Sequence, residues 1–215
     1  MIQTDALIEA DIAGFHLVFK TARSLFSPRY VDAGTRVLLS VVQFESADKV
    51  LDLGCGYGVV GILAGKLIDP SRVFMVDNDP LAIECARHNA AANGVSGVSV
   101  VLSEGFDNLD EAQFTKIICN PPYHSDFSVA KHLIQKAFNR LDLNGRLFMV
   151  TKHRGWYEKK LRSVFGSVSV RDIHGYNVFI AKKKTATWAN IQKKHTQSAS
   201  HLRQRRGWVA RLDKA

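Results

Sequence analysis

The run Asn-Pro-Pro-Tyr at residues 120–123 carries residue types that suit the holding of a planar NH₂ group. The side-chain oxygen of Asn120 and the carbonyl of Pro121 can each accept one N–H of such a group. Two acceptors fix the nitrogen and push it towards tetrahedral geometry, with its lone pair directed at an electrophile. Pro121 and Pro122 stiffen the backbone, and Tyr123 offers a ring on which a flat substrate stacks. Residues of these types could hold an amide or an exocyclic amine at a catalytic site; the alternative is a strand end broken by prolines.

A second chemical feature is the glycine-dense turn Asp-Leu-Gly-Cys-Gly-Tyr-Gly at residues 52–58. It lies between a short aliphatic run and an apolar stretch, which predicts a strand, a tight turn and a helix. Gly54 and Gly56 place no Cβ against a ligand, and the N-terminus of the next helix directs N–H groups to the same place. Asp52 would repel a pyrophosphate but attract an ammonium group. Alternatively, Asp52 orders the loop by accepting backbone N–H groups.

Predicted strands and helices alternate through most of the 215 residues. Helices are predicted to begin at Asp32, after Gly58, and at Asp79 with Pro80 in the first helical position. Such alternation predicts an α/β domain whose parallel sheet is covered by helices on both faces. Ligands then bind at the carboxyl ends of the strands. The predicted strands are 15–21, 50–53, 73–76, 98–102, 115–119, 146–150, 168–170 and 177–181, and residues 1–14 show no strong pattern.

The net charge of +9 is concentrated in residues 182–215. That segment holds ten Lys or Arg and one acidic residue, so residues 1–181 are neutral as a whole. A basic tail on a neutral body predicts a polyanionic partner, because Lys and Arg neutralise phosphates without reading sequence. Trp188 and Trp208 are suited to stacking on unpaired bases. The alternative is a solubilising tail whose tryptophans dock on the domain or on a second subunit.

The composition argues against membrane and metal-binding classes. No apolar run has the length of a membrane span and the first residues lack a secretory signal, so we expect a cytoplasmic protein without membrane contact. Cys55, Cys85 and Cys119 are far apart and lack metal-ligand or redox-motif spacing. We expect them to be buried thiols in a reducing compartment, and we expect no metal at the site.

The turn at residues 52–58 resembles motif I of the class I S-adenosylmethionine-dependent methyltransferases. That resemblance implies a Rossmann-like fold, with a seven-stranded, mostly parallel sheet and helices on both faces. It implies that S-adenosyl-L-methionine is the cofactor and that its methionine part packs against the turn. The cofactor-binding residues implied in and around the turn are Thr35, Asp52, Gly54, Cys55, Gly56 and Asn120.

The same resemblance assigns the nucleoside part of the cofactor to three further residues. Asp77, which ends the second strand of the predicted sheet domain, would accept the two ribose hydroxyls, and a bidentate carboxylate suits a vicinal diol. The alternative for Asp77 is a turn-forming acid. Asn78 and Glu104 would contact the adenine, although from the residues alone Glu104 is equally a plain exposed acid.

Residues 120–124, Asn-Pro-Pro-Tyr-His, resemble motif IV of the bacterial rRNA guanine-N2 methyltransferases that act on the small subunit. Other segments between residues 15 and 183 resemble the same family in its single-domain form. The resemblance implies that segment 25–35 folds over the cofactor as a lid. Phe26 has the alternative of a core aromatic, and His124 that of a cap for the next helix. The substrate-binding residues implied are Phe26, Tyr123 and His124.

We therefore expect residues 1–181 to form a methyltransferase domain, with a lid and N-terminal hairpin at 15–35, followed by the basic tail 182–215. The predicted reaction methylates the exocyclic N2 of a guanine in rRNA, with small-subunit rRNA as the first candidate, and RNA is the expected partner. That guanine must be unpaired or flipped out, because its 2-amino group is hidden in a duplex. The alternatives are a glutamine amide in a protein, adenine N6 in a nucleic acid, or an RNA-binding module with a vestigial cofactor site.

Overall fold

The computed structural model describes residues 6–121 and 127–186, which form one sheet domain with a separate N-terminal hairpin. The strands are β1 (Ala6–Ile12), β2 (Phe15–Thr21), β3 (Val50–Leu53), β4 (Val73–Asp77), β5 (Ser99–Leu102), β6 (Phe114–Cys119), β7 (Leu141–Thr151), β8 (Ser169–Ile173) and β9 (Tyr176–Lys182). The α-helices are α1 (Ala33–Val41), α2 (Val59–Leu67), α3 (Pro80–Ala92), α4 (Phe127–Arg140) and α5 (Arg154–Phe165).

Seven strands form the main sheet in the order β5-β4-β3-β6-β7-β9-β8. The first five are parallel to one another, and β9 is antiparallel to both of its neighbours. Helices α1, α2 and α3 pack on one face, while α4 and α5 cover the other. From β3 the chain builds the sheet outwards through β4 and β5, and then returns to add β6 on the other side of β3. Open α/β sheets bind ligands at such a switch point, here between β3 and β6. The predicted fold, a seven-stranded and mostly parallel sheet with helices on both faces, is confirmed.

Local capping fixes the start of the predicted helices. The Asp32 side chain accepts the Thr35 N–H at 2.9 Å, and the Asp79 side chain accepts the Leu81 N–H at 2.9 Å. Each bond satisfies a donor that the helix itself leaves open. Pro80 then occupies the first helical turn of α3, as expected. Helix α2 instead begins directly after Gly58, whose φ of 99° is in the left-handed region, so the glycine turn and the helix are one continuous unit.

The N-terminal hairpin is fastened to α3 by two asparagine side chains. The Asn93 amide donates to the Val18 carbonyl and accepts the Val18 N–H, at 2.7 and 3.1 Å. The Asn89 amide makes the same pair of bonds with Lys20, at 2.8 and 2.7 Å. Because one asparagine sits one helical turn from the other, the two amides imitate a neighbouring strand along the free edge of β2.

Strand β1 is the element that the sequence pattern failed to indicate. Its inward side chains, Ile8, Ala10 and Ile12, alternate with Leu7, Glu9 and Asp11. Ala, Asp and Glu are poor strand formers, so propensity conceals the period of two that the pairing with β2 requires. The hairpin therefore spans residues 6–21 rather than beginning at residue 15. Within the described residues, no helix combines the length and apolarity needed to cross a membrane.

Candidate active site

A cavity of about 360 Å³ lies at the carboxyl ends of β3, β4, β5 and β6. It brings together residues that are far apart in the chain. Pro122, Tyr123, His124, Trp188 and Trp208 lie outside the described residues, so their roles remain predictions. The predicted site residues that line the cavity are Phe26, Thr35, Asp52, Gly54, Cys55, Gly56, Asp77, Asn78, Glu104, Asn120 and Pro121.

The glycine turn forms one wall of this cavity and is tied to β4. The N–H groups of Gly54 and Cys55 both donate to the Val76 carbonyl at 2.9 Å. Gly54 and Gly56 have φ values of 76° and 54°, a conformation that disfavours residues with a Cβ. A Cβ built on either glycine would meet no atom within 4 Å, because both face open space. The turn thus has the shape of a cradle for a ligand lying against its backbone.

Asp77 at the end of β4 is held by two backbone donors. Its Oδ2 accepts the Gly56 N–H at 2.8 Å, and its Oδ1 accepts the Asp79 N–H at 3.0 Å. An ionised carboxylate has about four acceptor positions. Each oxygen therefore retains acceptor capacity for a further donor, as a pair of vicinal hydroxyls would require.

Asn78 and Glu104 meet at the neighbouring end of the cavity. The Asn78 side-chain amide donates to Glu104 Oε2 at 2.8 Å. Because that bond uses one carboxylate oxygen, it holds Glu104 in place at the cavity wall. Ser103, which precedes Glu104, also lines the cavity and was missed, since a lone serine after a strand gives no signal.

Asp52 is buried at the bottom of the cavity, with only 3% of its surface exposed. Its Oδ2 accepts the Gly61 N–H at 2.9 Å, so the backbone-ordering interpretation of this acid is observed directly. The pKa of Asp52 is raised to about 7, because burial raises it more than the Gly61 bond lowers it, and the charge of Asp77 contributes to the rise. A carboxyl group in this state gains most from a cation placed beside it.

Asn120 directly follows β6 and is oriented by the cap and the first turn of α1. Its side-chain nitrogen donates to Asp32 Oδ2 and to Thr35 Oγ1, both at 2.9 Å. A carboxylate is only an acceptor, so this contact fixes which end of the amide carries hydrogen. Oδ1 is buried, and among residues 6–121 and 127–186 it has no hydrogen-bond donor. An unsatisfied buried acceptor is costly and is therefore suited to a bound N–H donor.

Segment 25–35, the predicted lid, is anchored through Tyr57 of the glycine turn. The Tyr57 hydroxyl lies 3.4 Å from the Ser27 carbonyl and 3.3 Å from the Tyr30 carbonyl, and it donates towards both. Tyr57 also accepts the Asn89 amide through its carbonyl at 2.9 Å, which joins the turn to α3. Phe26 stands at the rim of the cavity with 49% exposure, so it is not a core aromatic.

The sequence pattern did not predict two features of the site. Asp32 was expected only as a helix cap, yet it also orients Asn120, 88 residues away. Val129 and Leu133 of α4 were not expected at the site, yet both line the cavity. The Asp-x-Gly-Thr segment at 32–35 was the available signal for the first of these, whereas the second follows only from the placement of α4.

Curated relatives of this chain include several rRNA methyltransferases. Ribosomal RNA small subunit methyltransferase C of Actinobacillus pleuropneumoniae is 37% identical over 155 residues, covering 68% of this chain and 46% of that protein. Ribosomal RNA large subunit methyltransferase G of Vibrio parahaemolyticus is 29% identical over 200 residues, covering 90% and 52%. The uncharacterized protein YbxB of Bacillus subtilis is 32% identical, covering 77% and 85%. The chain thus spans about half the length of these rRNA methyltransferases.

A solved structure with the same fold holds both a cofactor and a nucleoside. It is a T. thermophilus 16S rRNA N2-guanine methyltransferase in complex with AdoMet and guanosine, at a TM-score of 0.77 and 27% identity. The match covers 83% of this chain and 50% of that one. The model of the methyltransferase small domain matches residues 16–180, which is most of the chain. The predicted resemblance is therefore confirmed: the chain belongs to the methyltransferase small domain family, with the class I methyltransferase fold.

Proposed function

We propose that this protein transfers a methyl group from S-adenosylmethionine to the exocyclic N2 of a guanine in rRNA. The orientation of Asn120 carries this proposal. Asn120 lines the cavity, and Asp32 and Thr35 hold its amide nitrogen, so that the buried Oδ1 is left as an acceptor. An acceptor prepared in this way suits an NH₂ group whose lone pair is delocalised into a ring.

The described residues of the cavity fit the cofactor. Gly54 and Gly56 place no Cβ against the cavity, and Asp77 keeps acceptor capacity for a ribose diol. Asn78 and Glu104, which are bonded to each other and line the same cavity, are the proposed adenine contacts. Asp52 is the buried acid that a positively charged ligand would stabilise in its ionised form. When bound, S-adenosylmethionine supplies an electrophilic methyl group on a sulfonium sulfur.

In the proposed reaction, Asn120 Oδ1 and the Pro121 carbonyl each accept one N–H of the guanine amine. This pulls the nitrogen out of conjugation and directs its lone pair at the methyl carbon. A nitrogen–carbon bond forms while the sulfur–carbon bond breaks, and its electron pair stays on sulfur. The methylated nitrogen then loses one proton to water. Tyr123, by this proposal, stacks on the guanine ring.

Similarity to the rRNA methyltransferases supports RNA rather than protein as the substrate, with small-subunit rRNA tested first. The test is to incubate the protein with radiolabelled S-adenosylmethionine and, separately, rRNA, ribosomal subunits or a protein extract. We expect label in the RNA fractions, and nucleoside digestion should place it on N2-methylguanosine. Label on glutamine in protein, or on N6-methyladenosine, would contradict the proposed substrate while leaving the acceptor geometry intact.

Replacing Asn120 with Ala tests the amine-holding role. We expect methyl transfer to fall by about 100-fold or more, because a preorganised acceptor in the transition state is lost. Binding of S-adenosylhomocysteine, measured by calorimetry, should change little. Asn139→Ala removes an exposed amide in the last turn of α4 and is the matched control. Transfer that survives in the Asn120 variant would refute the assignment.

A further inference from the structure

Helices α4 and α5 lie side by side and lead away from the candidate active site. They follow β6 and β7, which are parallel neighbours, so both helices run in the same direction with their N-termini at the carboxyl edge of the sheet. Their buried residues share one core. Val129 and Leu133 of α4 line the cavity itself. The first turns of α4 therefore border the site, and α5 packs beside α4.

An aromatic pair joins the two helices at this border. The rings of Phe127 and Trp156 stack with centroids 4.6 Å apart and an interplanar angle of 28°. Tyr157 supports Phe127 from the side, at 6.3 Å and in an edge-on arrangement. Phe127 nevertheless remains 46% exposed. A ring that is held in place on one side and open to solvent on the other is preorganised to stack on a further planar group.

A lysine pair follows the aromatic pair one helical turn later. Lys131 is four residues after Phe127, and Lys160 is four residues after Trp156, so each lysine shares a helix face with its aromatic. The stacked rings of Phe127 and Trp156 hold the two helices together one turn earlier, so the two lysines lie on neighbouring helices. Burial lowers the pKa of Lys160, and the positive charge of Lys131 lowers it further. Two neighbouring cations are stabilised by an anion placed between them.

The wider surface has the same sign of charge. Helices α4 and α5 carry seven Lys or Arg and one acidic residue, a net charge of +6 within a body that is otherwise acidic, since residues 1–181 are neutral. The acid is Glu158, which is bonded to Arg154 at 3.0 Å and to Arg162 at 2.9 Å. Charge of one sign beside stacked aromatic rings is the combination that single-stranded nucleic acids bind.

We propose that the pairs Phe127–Trp156 and Lys131–Lys160, here called the aromatic–lysine surface, bind the single-stranded RNA that flanks the nucleotide in the cavity. A base stacks on the open face of Phe127, and an adjoining phosphate lies between the lysines. Four helical residues separate the two pairs by about 6 Å, which places both contacts on one nucleotide or on adjacent ones. This inference rests on the proposed function, because it takes the cavity to hold an RNA nucleotide.

The test is to measure the affinity of a short fluorescent single-stranded RNA by anisotropy across a series of salt concentrations. Lys131→Gln combined with Lys160→Gln should weaken binding about ten-fold and flatten the salt slope by about 0.7, because the contact of the two lysines with one phosphate is lost. Phe127→Ser should weaken binding at least about five-fold with an unchanged salt slope, because a stacking contact is lost. Since Phe127 is half exposed, this substitution should leave the fold intact, and thermal unfolding checks this directly.

The matched control is Lys66→Gln combined with Arg171→Gln, which removes the same charge from the opposite face of the sheet. Lys66 lies on α2, and Arg171 alternates with Val170, which packs on the α5 side. Equal affinity in both double variants would overturn the inference, as would full competition by polyglutamate, which would indicate an acidic protein partner. If wild type methylates RNA while neither the Lys131/Lys160 variant nor the Phe127 variant weakens RNA binding, only this inference is refuted. If the Lys131/Lys160 and Phe127 variants both weaken RNA binding but RNA takes up no methyl label, only the proposed function is refuted.

Discussion

Replacement of Asp52 by Asn should remove a pH-dependent loss of stability from the cofactor-free protein. Burial raises the pKa of this carboxyl from 3.8 to about 7. The native state therefore binds a proton more tightly than the unfolded chain, and the free energy of unfolding falls as pH rises through that interval. A shift of about three pKa units corresponds to about 4 kcal/mol when the interval is fully crossed.

The amide introduced at position 52 would carry no charge, yet its oxygen can still accept the Gly61 N–H that holds the start of α2. Cys55 and Cys119 stay protonated over the same interval, because burial and the charge of Asp52 raise the pKa of both thiols. Urea unfolding of the cofactor-free protein at about pH 5 and about pH 8 measures the effect. These two pH values span about two of the roughly three pKa units, so wild type should lose about 2.7 kcal/mol more than the variant between them.

Two further measurements make the Asp52 argument refutable. Asp110→Asn removes an exposed acid and should leave the pH dependence of wild type unchanged. Binding of S-adenosylmethionine to wild type should strengthen as pH rises towards about 8, because the ionised carboxyl attracts the cation; the Asp52 variant should bind more weakly and with a flatter pH profile. Identical unfolding profiles for wild type and the Asp52 variant would show that the burial of this acid is not the source of the effect.

Two other substitutions separate positioning from packing. Asp32→Ser keeps a cap for α1 but loses the contact with Asn120, so methyl transfer should fall about ten-fold with less than about 1 kcal/mol of stability lost. Asp32→Ala should lose the helix cap as well as the contact with Asn120. Measurements of kcat and of urea unfolding separate the two effects. Gly61→Ala should destabilise by about 1–3 kcal/mol, because the new Cβ would overlap Met75 Cγ and Sδ. A Cβ on residue 155 would meet no atom within 4 Å, so Gly155→Ala should stabilise α5 by up to about 1 kcal/mol in the same urea assay. Equal effects of the two glycine substitutions on stability would contradict the packing argument.

The sequence predicted those parts of the fold that depend on residues close to one another in the chain. The buried central strands are short runs dominated by aliphatic side chains, and the caps at Asp32 and Asp79 lie within three residues of the N–H groups they bind. Two acceptor groups at the site, Asn120 and Asp77, could be placed because they end parallel strands whose carboxyl ends meet at one edge of the sheet.

What could not be predicted depends on contacts between distant residues. The Asp32–Asn120 bond joins positions 88 residues apart, and the Asn93–Val18 bonds join positions 75 residues apart. No local periodicity encodes either contact. Strand β1 was missed for a related reason: its Ala, Glu and Asp residues are poor strand formers, and the strand is stabilised by pairing with β2. The roles of Tyr123 and His124, and of the tail 182–215, remain predictions.

The two asparagines of α3 make the N-terminal hairpin a poor candidate for transplantation. Val18 and Lys20 already have their outward backbone groups satisfied, so this edge of β2 is closed to strand addition by another chain. A chimaera that receives residues 6–21 without Asn89 and Asn93 would expose four backbone groups along that edge. Such a chimaera should self-associate, whereas one that also receives both asparagines should remain monodisperse in size-exclusion chromatography.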